Sequence, residues 1–228
     1  MTPTTAVPVQ QPTDFPWPNV KLVESDGEPM DTPWHRDAMN LLIEQVRWQL
    51  RDRQDYFVGG NMFIYFNVEQ ARNRDFRGPD FFFVDGAQPN EHRLWWAIGE
   101  EGGKYPDVII ELLSPTTAVE DRTTKKQVYE RTFRTGEYFL YDPTTRQLDG
   151  WRLLDRRYQR IEPDARGWLW CDQLKLWLGV WGKAPTRIGL TPGCASTTPT
   201  GTWSRCLLKP RSSASTLKSS APRNWKRR

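Results

Sequence analysis

Between residues 34 and 53, apolar side chains recur at three- and four-residue steps: Ala38, Leu41, Leu42, Val46 and Leu50. That spacing predicts an amphipathic helix. Thr32-Pro33 ahead of it supplies an N-cap followed by proline at the first helical position. Then the period falls to two. Residues 56–66 read as a strand or hairpin, with Gly59-Gly60-Asn61 as its turn or bulge. Residues 76–84, 94–98 and 107–113 read as further strands. The last of these contains Val108-Ile109-Ile110-Glu111-Leu112-Leu113, almost continuously apolar as a central strand covered on both faces is. Ser114-Pro115 stops it. Residues 121–135 return to a helical pattern, with Val128 and Phe133 for packing and Gly136 as C-cap. Strands follow over 137–141, 147–154, 158–161 and 174–181. No internal repeat is visible. The pattern predicts an α/β (α+β) domain with one helix ahead of the sheet and another after a central strand.

Composition changes this picture mainly at the two ends. Residues 1–30 carry Pro3, Pro8, Pro12, Pro16, Pro18 and Pro29 and read as a flexible leader. They lack the basic and apolar regions of a secretory signal, and no stretch approaches the roughly 20 apolar residues of a membrane span. Cys171, Cys194 and Cys206 are too few and too scattered for a disulfide framework or a zinc site, which points to a reducing, cytoplasmic compartment. The net charge of +4 is unevenly distributed: residues 1–182 hold 22 basic and 28 acidic residues, and residues 183–228 hold 10 basic and none acidic. The body is therefore mildly acidic, and its charge does not argue for nucleic acid. The last 46 residues include 14 Ser or Thr and no regular period. They read as a disordered basic tail behind a globular domain at 31–182.

The candidate chemistry lies in two carboxylates. Asp80 follows Pro79 in one strand, and Glu111 interrupts the most apolar one. Burying a carboxylate there costs several kcal/mol unless it is paired or binds a cation. Two carboxylates on adjacent strands suit magnesium, which takes hard oxygen ligands and keeps several waters. One such water is then a nucleophile against a phosphodiester. The plainer alternative is a turn-forming Pro-Asp and a structural ion pair. Asp107 also follows a proline, but it precedes Glu111 by four strand residues, about 13 Å, too far to share one ion. Asp121, Lys125 and Tyr129 share a helical face, either as a solvated pair beside a half-buried tyrosine or as part of a site. Glu44 is an exposed helix residue or a contact to a metal-bound water. His35 reads as part of the helix start. The tryptophans at 151, 168, 170, 177 and 181 alternate as core-facing strand residues do.

The motifs fall in a characteristic order: Pro79-Asp80, then Pro106-Asp107-Val108-Ile109-Ile110-Glu111-Leu112-Leu113-Ser114-Pro115, then Asp121, Lys125 and Tyr129, then Gly136-Glu137-Tyr138 and Asp142-Pro143. This resembles the Uma-type restriction endonuclease family, a bacterial group of the PD-(D/E)XK nuclease superfamily, over about residues 34–181. The resemblance implies a restriction-endonuclease-like mixed sheet flanked by helices, and a magnesium-dependent endonuclease acting on DNA, with manganese as an alternative ion. No membrane is implied, and a homodimer is left open. Asp80 and Glu111 then hold the metal, with the Leu112 carbonyl as a candidate further ligand. The superfamily's lysine is missing two residues after Glu111, where Leu113 stands. Lys125 is the matching position on the following helix, making Asp80, Glu111 and Lys125 the catalytic set, with Lys126 as fallback. Leu113 and the acidic body favour a rival reading, a catalytically inactive interaction or nucleic-acid-binding module. A metal-dependent hydrolase acting on another substrate is a second rival. The tail beyond about Thr186 also reads as an out-of-frame translation. Gly193 to Arg205 has a codon choice that, read two nucleotides later, encodes Leu-Arg-Leu-Tyr-Asp-Ala-Asp-Gly-Asn-Leu-Val-Pro, resembling the family's continuing strand. Sequencing the gene decides this.

Overall fold

The computed structural model describes residues 32–73, 78–182 and 187–192. The chain divides into two units, Met1–Gly193 and Cys194–Arg228, and every described residue belongs to the first. The expected leader at 1–30 lies outside the described residues, as does the chain from Gly193 onward.

Helix α1 spans Pro33–Gln49, with Thr32 as N-cap accepting from the His35 N–H at 3.2 Å. Of the expected stripe Ala38, Leu42 and Val46 are buried and Leu41 and Leu50 half-buried, while Met39 and Ile43 are buried as well. It stops four residues before the expected end, and Arg53 turns back to pair with Asp55 and Asp85.

The main sheet has six strands: β1 (Tyr56–Gly59), β3 (Phe81–Asp85), β5 (Val108–Leu112), β6 (Glu137–Asp142), β7 (Gln147–Leu154) and β8 (Arg157–Arg160), in the order β1-β3-β5-β6-β7-β8. All neighbours are antiparallel except β5 and β6. Parallel neighbours need a long crossover, and a helix over residues 118–133, α3, provides it. This is the mixed α+β architecture expected from the sequence.

Both sheet faces are covered. On one, Phe81, Phe83, Val108, Ile110, Leu112, Phe139 and Tyr141 pack with α1 and with a three-stranded sheet of β9 (Leu169–Cys171), β10 (Leu176–Trp181) and β11 (Arg187–Pro192). On the other, Phe82, Val84, Ile109, Leu113, Tyr138 and Leu140 lie under Tyr129 and Phe133 of α3. Within the second sheet Trp168 meets Trp181, and Trp170 meets Trp177, edge to face at 5.0 and 5.2 Å. These tryptophans are packing residues. Among the described residues, no helix is long and apolar enough to cross a membrane.

Several expectations are corrected. Residues 56–66 are not a hairpin: β1 joins the main sheet, while β2 (Ile64–Tyr65) pairs in parallel with β4 (Trp96–Ala97). A short helix α2 (Val68–Asn73) follows β2. Arg134, with φ 55°, takes the left-handed position that ends α3 in place of Gly136. The structured region continues past 182. β11 pairs with β10 from Trp181↔Arg187 to Leu176↔Pro192, and Ile188 and Leu190 are buried. The absence of acidic residues masked an alternating strand at 187–192, whose two apolar side chains complete the core.

Candidate active site

The register of the central strands positions the carboxylates. β3 and β5 are antiparallel, with Phe81 opposite Ile110, so the next step brings Asp80 opposite Glu111. The Asp80 backbone N–H donates to Glu111 Oε2 at 3.2 Å, and the Leu112 N–H donates to Asp80 Oδ2 at 2.7 Å. Glu111 shares the face of Ile109 and Leu113, the side that α3 covers, and its side chain is 1% exposed.

Helix α3 is not uniform. It runs as α-helix Ala118–Glu120, a π-helical turn Asp121–Lys125, α-helix Lys126–Val128 and a second π-helical turn Tyr129–Phe133. Turns of this kind form where a side chain intrudes on the helical ladder, and they recur at functional sites. Here the Tyr138 hydroxyl donates to the Asp121 carbonyl at 2.8 Å. From this helix Lys125 Nζ reaches Asp121 Oδ1 at 2.6 Å and Glu111 Oε1 at 3.3 Å. The Tyr129 hydroxyl donates to the same Glu111 oxygen at 2.9 Å. Leu113, two residues after Glu111, is core.

Asp80, Glu111 and Lys125, the three residues selected from the sequence, thus lie together, with Asp121 and Tyr129 beside them. Lys126 points elsewhere, stacking its ammonium 3.9 Å from the Trp151 ring centre. Glu44 pairs with Arg47 on the exposed side of α1. Asp107 sits at the opposite end of β5 and accepts from the Asp85 N–H. The residue that the sequence reading passed over is His35, whose Nε2 lies 2.7 Å from Asp80 Oδ1. Its one sequence signal was a histidine in the first turn of a helix, which is equally a structural position.

The electrostatics are those of a buried acidic cluster held by one ammonium. Burial, aided by the neighbouring Asp80 and Asp121 charges, pushes Glu111 up to about 8 against the pull of Lys125. Burial likewise raises Asp121. Burial works to lower Lys125, but Glu111 and Asp121 outweigh it and hold the ammonium above its ordinary value. Among the described residues, no cluster of three or more His, Cys, Asp or Glu is arranged to hold a metal. Two oxygen-donor carboxylates in a surplus of negative charge nonetheless fit magnesium, which uses one or two carboxylates and retains waters.

A family model described as "Putative restriction endonuclease", Uma2, matches residues 11–181, well over half of the chain. The chain belongs to the Uma2 family. One solved structure similar to this Uma2 protein is that of "a putative nuclease belonging to DUF820" from Anabaena variabilis ATCC 29413, at 19% identity and a TM-score of 0.44, covering 60% of this chain and 73% of that one. No curated protein matches.

Proposed function

We propose that this Uma2 protein is a magnesium-dependent DNA endonuclease with Asp80, Glu111 and Lys125 as its catalytic residues. The supporting observation is the meeting of three residues from separate parts of the chain, with Lys125 Nζ 3.3 Å from Glu111 and the Asp80 backbone N–H on the other Glu111 oxygen. Asp80 and Glu111 would hold the ion, which supplies Lewis acidity and neutralises charge developing on the phosphate. The rest is done by the chain itself. Lys125 keeps its proton and presents a fixed, largely buried positive charge, and such a charge stabilises an anionic transition state. Asp121 anchors the ammonium from one side. Tyr129 holds the Glu111 carboxylate in one rotamer. Lys125 comes from the crossover helix, so Leu113 is free to serve the core, and the leucine does not by itself argue for an inactive protein.

The test is incubation of the purified protein with supercoiled plasmid in magnesium, manganese or EDTA. Nicked or linear product is expected with either ion and none in EDTA. Asp80→Asn and Glu111→Gln should abolish cleavage, and Lys125→Ala should cut it by about 10²–10³-fold, the usual loss for one charge-stabilising donor. Lys126→Ala should stay near wild type. Cleavage that survives Glu111→Gln would remove Glu111 from the catalytic set, and no cleavage by the wild type would favour the binding-module reading.

A further inference from the structure

We infer that His35 is a positioning residue for the metal site, acting through Asp80. This rests on the reading of Asp80 as a metal ligand. The contact joins distant parts of the chain: His35 is in the first turn of α1, and Asp80 precedes β3. Nε2 and Oδ1 are 2.7 Å apart, with the two side chains 11% and 19% exposed. A bare ring nitrogen and a carboxylate oxygen would repel at that separation, so Nε2 is protonated and the contact is one of opposite charges. The other Asp80 oxygen is held by the Leu112 N–H at 2.7 Å. Between them, the helix and the central strand grip both oxygens. That fixes the carboxylate's rotation while leaving lone pairs for a cation.

The backbone cap of the helix does not use the imidazole, whose ring meets the Trp34 ring edge to face at 6.3 Å. The Thr32 cap takes the His35 backbone N–H, Pro33 occupies the first turn, and Trp34 packs against Tyr141 at 5.8 Å. Partners that orient a ligating carboxylate typically change metal affinity by 10–100-fold when removed.

The experiment measures Mg2+ binding by calorimetry and Mn2+ binding by loss of its free EPR signal. It compares wild type, His35→Leu, His35→Gln, Thr32→Ala and Asp80→Asn, each with its Tm in EDTA. His35→Leu should weaken binding of both ions by about 10–100-fold. His35→Gln should recover most of that affinity, since its amide nitrogen lies close to the Nε2 position. Thr32→Ala should lower the Tm with affinity unchanged, which separates helix stability from carboxylate orientation. If His35→Leu does not fold, His35→Asn replaces it, because the shorter amide does not reach Oδ1 and the same loss is expected. Equal losses in the Leu (or Asn) and Gln variants, or a matching loss in Thr32→Ala, overturn the inference in favour of a structural role. Wild-type affinity in His35→Leu, with binding abolished in Asp80→Asn, overturns it and leaves the nuclease reading standing. No ion binding by the wild type overturns both.

Discussion

Glu111 is fully buried beside Asp80 and Asp121, and burial favours its protonated form until about pH 8 against the pull of Lys125. A cation binding there must displace that proton, so magnesium affinity should rise about tenfold per pH unit between about pH 6 and 8, then level off. Calorimetry in buffers of differing ionisation enthalpy would also detect the released proton. An affinity flat across that range contradicts the assignment of Glu111 as a ligand. The stability consequence has the opposite sign. The folded value lies above the ordinary 4.5, so the contribution to stability is full below about 4.5 and is lost as pH rises through about 8. Asp121 is raised too and acts in the same direction. The metal-free protein should therefore melt at a lower temperature at pH 8 than at pH 5, and magnesium should restore the difference at pH 8.

At the scale of elements, the site depends on how closely β1 passes the start of β3. Gly60 follows β1, and a Cβ there would lie 1.9 Å from the Asp80 carbonyl oxygen and 2.9 Å from Met39 Cγ. The Asn61 N–H donates to the Pro79 carbonyl at 2.9 Å, tying the two segments together. Asp80 has little room to yield, because its carboxylate is held on two sides. Gly60→Ala should cost about 1–3 kcal/mol in urea unfolding, as overpacking does, and should weaken metal binding by moving Asp80. An unchanged unfolding midpoint would show that the strand shifts freely. The crossover helix has a comparable role: its first π-helical turn contains both Asp121 and Lys125.

At the scale of the whole molecule, the second sheet closes the core face opposite the one that carries Glu111. β11 contributes Ile188 and Leu190, 0% and 4% exposed, and its Leu190 N–H donates to Gln45 of α1 at 2.7 Å. Burying two such side chains stabilises by about 1.5–3 kcal/mol each. A chain ending at Gly193 should keep the full Tm, whereas one ending at Gly182 should lose several kcal/mol and aggregate on heating. Equal melting of the two would mean that β11 adds nothing to the core. The same boundary confines the proposal of an out-of-frame tail to residues from Gly193 onward, since β11 is a strand of the core.

The sequence by itself determined the parts governed by local periodicity. The α1 stripe and the apolar runs of β5 and β6 are each specified by their own residues. Asp80 and Glu111 were legible from their local settings, one after a proline and the other inside an apolar strand, whereas Lys125 was picked out by the resemblance to the family. Tertiary structure decided what depends on register and packing. Antiparallel pairing of β3 with β5 set Asp80 opposite Glu111. The Tyr138 hydroxyl on the Asp121 carbonyl accompanies a π-helical turn that no residue pattern announces. Ile188 and Leu190 became core because β10 offered them a partner. His35 met Asp80 only because α1 packs across the sheet with its first turn at the site, a contact between residues far apart in the chain that no local signal encodes.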